Sequence, residues 1–190
     1  MNATRIHAKE AAEDIFFGQV VIIWARWFLI AAGAVLTIWT TRQTAHLAVA
    51  VIPIAALMAI NFYLHGRYLT ERPCNELLVA AASVFDLAVI TTLVMFWHDS
   101  GVISSGLASP FFVFYYPMLL AVAFVLPPRP AIAYTIVTVV LYALICLPDA
   151  ESAVDAKALL LRLVTMTAMG GLGTFYWRIQ RDRRRAALAG

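Results

Sequence analysis

The stretch from Leu77 to Trp97 reads LLVAAASVFDLAVITTLVMFW, and Asp86 is its only charged residue. A helix needs about 20 mostly apolar residues to cross the hydrocarbon core of a bilayer. The apolar residues here form a continuous run, whereas the strands of a membrane β-barrel alternate between apolar and polar. The stretch therefore predicts a transmembrane α-helix, and it decides the fold class of the chain.

Five more stretches have the same character, so the sequence predicts an all-α, polytopic membrane protein with six transmembrane helices. The predicted spans cover residues 15–39, 46–64, 77–97, 110–126, 131–147 and 158–177. They divide the chain into an N-terminal segment, a six-helix transmembrane domain and an arginine-rich tail, at residues 1–14, 15–177 and 178–190.

The composition excludes most other classes of protein. Hydrophobic residues make up 63% of the chain and charged residues 13%, and the mean hydropathy is +0.83. A soluble domain is about 45–50% apolar and about 25% charged. A cytosolic enzyme, a secreted disulfide scaffold, a disordered tail and a nucleic-acid-binding domain are therefore excluded as the main interpretation. The two cysteines, Cys74 and Cys146, form neither a disulfide framework nor a zinc motif.

The charges of the loops between the spans predict how the chain is oriented in the membrane. Most of the 14 lysine and arginine residues fall on one side of the predicted spans, including five arginines between Arg178 and Arg185. Cytoplasmic loops carry such an excess, so we expect both termini in the cytoplasm. Because the positive charge is concentrated beside an apolar helix, it indicates a lipid bilayer as the partner and no nucleic acid.

Two ionisable residues lie deep within predicted spans, Arg26 in the first and Asp86 in the third. Both should sit roughly 14–17 Å from the cytoplasmic ends of their helices. A charge at the centre of a bilayer costs at least ~2.5–3.5 kcal/mol, so we expect the two side chains to face inward and pair. The pair could fix helix packing or form the polar floor of a ligand pocket, or either residue could contact a partner subunit.

Two other features allow more than one interpretation. Gly170, Gly171 and Gly173 form a small-residue face in the sixth span, which predicts close helix packing either inside the chain or in a homodimer.

His46 and His98 lie near one surface, and two histidines on adjacent helices can be axial ligands of a haem. No other haem signature accompanies them, so solvated histidines are the favoured interpretation, and we expect no metal site.

The loop before the fourth span is rich in glycine and serine, and it leads into an aromatic helix start. Backbone amides, hydroxyl groups and aromatic rings can cradle a flat, weakly polar ligand such as a quinone head group. The alternative is a tight turn followed by residues that anchor the helix at the membrane surface. The candidate ligand-binding residues are Ser105, Gly106, Ser109, Pro110, Phe111, Phe112 and Tyr115.

This loop resembles the membrane region of bacterial sensor histidine kinases of the RegB type. Their six-helix input domain carries a Gly-Gly-x-x-Asn-Pro-Phe motif between its third and fourth helices, and that motif is implicated in ubiquinone sensing. Gly106, Pro110 and Phe111 match the motif, while Ser105 and Ser109 replace the first glycine and the asparagine. The resemblance implies a signal-transduction module of a two-component system in the bacterial cytoplasmic membrane, with a quinone as ligand.

Three functions remain open at this point. The first is a sensory input module, and the stretch from Trp177 to Ala187 resembles the helix that leaves the membrane toward a kinase core. The second is an accessory subunit of a respiratory or photosynthetic membrane complex, and the third is a small transport component. We expect a homodimer or partner subunits. Because neither a nucleophile–base constellation nor a kinase segment is visible, we expect no catalysis by this chain itself.

Overall fold

The computed structural model describes residues 3–40, 44–70, 76–96 and 106–189, and within these ranges it is helical, with no strand. The six α-helices are α1 (Ala3–Thr40), α2 (Thr44–Leu69), α3 (Glu76–Phe96), α4 (Tyr115–Val125), α5 (Pro128–Cys146) and α6 (Ala153–Ala189). Two short 3-10 helices precede α4 and follow α5, at Pro110–Phe114 and Leu147–Asp149. The all-α fold class is therefore confirmed.

Four helices have the length and composition of membrane spans, counted over the described residues. They cover Gln19–Trp39, Leu77–Met95, Pro128–Cys146 and Ala153–Ile179, and a shorter apolar helix covers Pro110–Val125. Large apolar side chains are exposed along them, for example Trp24 on α1 and Leu161 on α6, which are 67% and 68% exposed. Lipid is the solvent that suits such faces, because contiguous apolar surface of this extent is rare on soluble proteins.

The first and last helices extend beyond the predicted spans. α1 begins at Ala3 rather than near residue 15, and α6 begins at Ala153 and continues to Ala189. The added segments are rich in alanine, glutamate, lysine and arginine, which are strong helix formers in water. The predicted segment boundaries at residues 14 and 178 therefore fall inside continuous helices.

The described helices form two compact units, which divide between Val84 and Phe85 within α3. In the first unit α1 packs against α2. Gln19 Nε2 on α1 donates to the carbonyl oxygen of Leu64 at 3.1 Å, and Asn61 Nδ2 on α2 donates to that of Ile23 at 3.4 Å. Gln19 therefore pairs with Leu64 and Ile23 with Asn61, so the residue numbers rise along α1 as they fall along α2, and the two helices are antiparallel.

In the second unit α4 is the central helix, since six of its eleven residues are buried and it packs against α5 and α6. A Cβ atom at Gly170 would overlap Thr135 of α5, and one at Gly173 would overlap Ala123 of α4. Gly171 has open space around its Cβ position. At Gly170 and Gly173 the small-residue face therefore packs inside the chain.

Candidate functional site

The candidate ligand loop lies in the second unit, and six of its seven predicted residues are described. Ser105 lies outside the described residues. Phe112 is half-buried and Pro110 is exposed. The other four are buried, namely Gly106, Ser109, Phe111 and Tyr115. The loop is thus packed into the unit rather than projecting from it.

Gly106 is placed where the loop passes closest to the end of α5. A Cβ atom at this position would lie 2.9 Å from Ile145 Cγ2 and 3.0 Å from Cys146 Sγ. Real Cβ atoms essentially never approach so closely, so a larger residue would push the loop away from α5. The absence of a side chain at Gly106 therefore sets the position of the residues that follow it.

Ser109 combines burial with an unused hydroxyl group. The residue is 2% exposed, and its Oγ has no hydrogen-bond partner among the described residues. It precedes the 3-10 helix with an extended backbone, and its side chain makes no capping bond. A buried hydroxyl without a partner costs about 1–3 kcal/mol, so Ser109 has hydrogen-bonding capacity that an incoming group can use.

Tyr115 is fixed by its neighbours on two helices. Its hydroxyl lies 2.9 Å from Thr91 Oγ1 on α3, and its ring meets that of Tyr142 on α5 edge-on, with centroids 5.4 Å apart. Both tyrosines are fully buried. Tyr115 is therefore a rigid aromatic wall beside the loop, with its hydroxyl already in a hydrogen bond.

Arg162 on α6 connects the loop to two helices. Its Nη1 donates at 2.8 Å to both the Leu107 carbonyl oxygen and the Tyr142 hydroxyl. Its guanidinium carbon lies 3.6 Å from the centre of the Phe112 ring, in a cation–π contact. A single side chain thus holds the loop, α5 and α6 together.

The sequence analysis did not identify Arg162 as a residue of the candidate site. Its position within the sixth predicted span was one available signal, because an ionisable residue inside a span is functional or partnered by default. Its spacing was another, since Arg162 lies four and eight residues before Met166 and Gly170, on the same face of a helix. That face is packed, since Met166 and Gly170 are both buried and Gly170 lies against Thr135 of α5.

The predicted intramembrane residues are both buried. Arg26 is 2% and Asp86 1% exposed. Within the first unit Arg26 Nη2 donates to the Ala82 carbonyl oxygen at 3.2 Å. The pairing of Arg26 with Asp86 stays a prediction.

The two histidines considered as alternative haem ligands have no described side chains. His98 lies outside the described residues, and of His46 only the backbone in α2 is described. Among the described residues no group of three or more histidine, cysteine, aspartate or glutamate side chains is placed to hold a metal ion. Haem ligation by the two histidines therefore stays an untested alternative.

This part of the second unit combines three kinds of chemical group. Ser109 has an unused hydroxyl, Phe111 and Tyr115 are buried aromatic residues, and Arg162 places a positive charge against Leu107 and Phe112. Comparison with family models, curated proteins and solved structures gives no match for this chain.

Proposed function

We propose that this chain is a membrane sensory input module that binds a ligand at the Gly106–Phe112 loop and passes the change on through α6. The observation that carries the proposal is the contact of Arg162 with Leu107. Because the loop bonds α6 directly, a ligand that moves the loop must alter the contacts of α6. A ligand shifts a two-state equilibrium only through such differential contacts.

The length of α6 supports this direction of transmission. The helix runs without a break from Ala153 to Ala189, while the part suited to a membrane ends at Ile179. A shift at Arg162 therefore reaches residues beyond the membrane along a single rigid element. The stretch from Trp177 to Ala187 resembles the helix that leads to a kinase core, so a cytoplasmic kinase is the proposed receiver of the signal.

A quinone head group is the proposed ligand. Its carbonyl oxygens need donors, and the buried Ser109 hydroxyl has one to offer. Its flat ring suits the aromatic surface of Phe111 and Tyr115, in the apolar setting typical of small-molecule sites. The loop's resemblance to the RegB-type motif supports the same ligand class.

We also propose the finer membrane architecture, with six spans and both termini in the cytoplasm of a bacterium. Two helices outside the four candidate spans would complete the set. α2 has 26 residues and so a length of about 39 Å, which exceeds a hydrocarbon core of about 30 Å. The apolar helix at Pro110–Val125 is shorter, and the loop before it would fill the remaining depth.

The test is quinone binding by the purified full chain in mild detergent, followed by quenching of tryptophan fluorescence with a short-tailed ubiquinone. Ser109→Ala should weaken binding about fivefold, because one neutral hydrogen bond contributes about 1 kcal/mol. Ser83→Ala is the matched control, since Ser83 is equally buried but donates to its own helix at Val79. Equal affinities for wild type and a well-folded Ser109→Ala would refute the site. A stable set of copurifying subunits, identified by native mass spectrometry, would favour the accessory-subunit function instead.

A further inference from the structure

Arg162 uses only part of its hydrogen-bonding capacity. A guanidinium group carries five N–H donors, and both of its hydrogen bonds here come from Nη1. Nε and Nη2 have no hydrogen-bond partner among the described residues, and neither is fully enclosed. Three donors on one side of the group are therefore available to a ligand.

The positive charge of Arg162 also has no counter-ion in the described part of the chain. Its partners there are a backbone carbonyl, a phenol hydroxyl and an aromatic ring, which are all neutral. Arginine stays protonated in proteins, and a charge in a membrane helix is costly unless it is compensated. An anion is the ligand that this arrangement favours.

The depth of Arg162 indicates where the anion comes from. α6 starts at a polar surface, where Ser152 Oγ accepts a bond from the Asp155 backbone N–H at 3.1 Å. Lys157 is the last charged residue before Arg162. Arg162 lies five positions after Lys157, which corresponds to about 7.5 Å along the helix, and a long arginine side chain can span this distance by snorkelling toward the headgroups.

Tyr116 lies next to the aromatic ring that Arg162 contacts. Its ring contacts that of Phe112, with centroids 6.0 Å apart, and the guanidinium carbon of Arg162 lies 3.6 Å from the centre of the same Phe112 ring. We propose that Arg162 and Tyr116 bind the phosphate of an anionic phospholipid, with the arginine donating from Nε and Nη2. This lipid site lies at the membrane surface where α6 begins, and it does not depend on the loop binding a quinone.

The experiment measures lipid preference of the purified full chain by native mass spectrometry and by the unfolding temperature. Phosphatidylglycerol and phosphatidylcholine with the same acyl chains are the probes, and inorganic phosphate is the soluble anion. We expect wild type to prefer phosphatidylglycerol, and Arg162→Gln to lower that preference about tenfold or more, because charge-assisted bonds are lost. Arg129→Gln is the matched control, since Arg129 is exposed in the first turn of α5.

Two further variants keep the test decisive if Arg162→Gln does not fold. Arg162→Lys retains the charge without the planar fork, so it should keep only part of the preference. Tyr116→Phe retains the ring contact and should lower the preference about threefold by removing one hydroxyl donor. Unchanged preference in both of these folded variants would overturn the proposal, as would the absence of any preference in wild type. Equal stabilisation by inorganic phosphate would overturn the assignment to a lipid.

Discussion

Replacing Tyr142 with phenylalanine tests whether Arg162 holds the second unit together. The change removes the hydroxyl that accepts from Arg162 Nη1 at 2.8 Å and keeps the buried ring against Tyr115. Hydrogen bonds to charged groups contribute about 1.5–3 kcal/mol. Arg162 is only half-buried, so water or a lipid headgroup can partly replace the hydroxyl. We therefore expect the free energy of unfolding to fall by about 1–2 kcal/mol.

The assay is reversible unfolding in mixed micelles, followed by circular dichroism. Tyr63→Phe is the matched control, because Tyr63 accepts from Arg67 across 3.5 Å at an exposed position, and we expect a loss below about 0.5 kcal/mol there. A double-mutant cycle with Arg162→Met isolates the pair, and its coupling energy should reach about 1 kcal/mol. Additivity within about 0.3 kcal/mol would refute the argument, because two groups that share a bond cannot act independently.

Two other predictions concern packing and buried charge. Gly173→Leu should unfold or strongly destabilise the chain, because the new side chain would overlap Ala123. Gly171→Leu is the control and should change the unfolding temperature little, because a side chain there would point into open space. Equal effects of the two changes would contradict the packing of α6. Asp86→Ala should destabilise by about 3–5 kcal/mol if it leaves Arg26 buried without its partner, and the double change with Arg26→Ala should recover part of that loss. A strictly additive double variant, measured by the same unfolding assay, would count against the pair.

The helices could be predicted from the sequence because membrane spans are continuous apolar runs. Four of the predicted spans fall within a single described helix, including the one marked by Leu77–Trp97 over its described part. The span predicted at 110–126 is divided between the 3-10 helix Pro110–Phe114 and α4, and the one at 131–147 ends one residue beyond α5. The ends of the helices were less predictable, as at Ala3 and Ala189, because hydropathy marks only the part of a helix that lies in the membrane. A helix continues through polar residues wherever their intrinsic propensity is high.

The candidate site was predicted only in part, for a related physical reason. Serine, glycine and aromatic residues in a loop stand out in composition, so Ser109 and Phe112 could be named. The role of Arg162 depends on contacts with residues 20 and 55 positions away, at Tyr142 and Leu107. Counting charges does not reveal these contacts, whereas helical periodicity places Arg162 on the same packed face as Gly170.

The strength of the Arg162 contacts is suited to a switch. A ligand that displaces the loop must offset the charge-assisted bond to Leu107, at about 1.5–3 kcal/mol, together with the cation–π contact to Phe112, while the bond to Tyr142 on α5 is kept. A ligand can offset this only by binding the released state more tightly, and a thousandfold difference in affinity between the two states supplies about 4 kcal/mol. The close packing of Gly170 and Gly173 involves no group that the loop ligand would touch, so it should persist in both states. In the proposed sensor, α6 would therefore lose its contact with the loop near its start while its middle remains in place, and the movement available to it is a tilt or rotation about the glycine contacts.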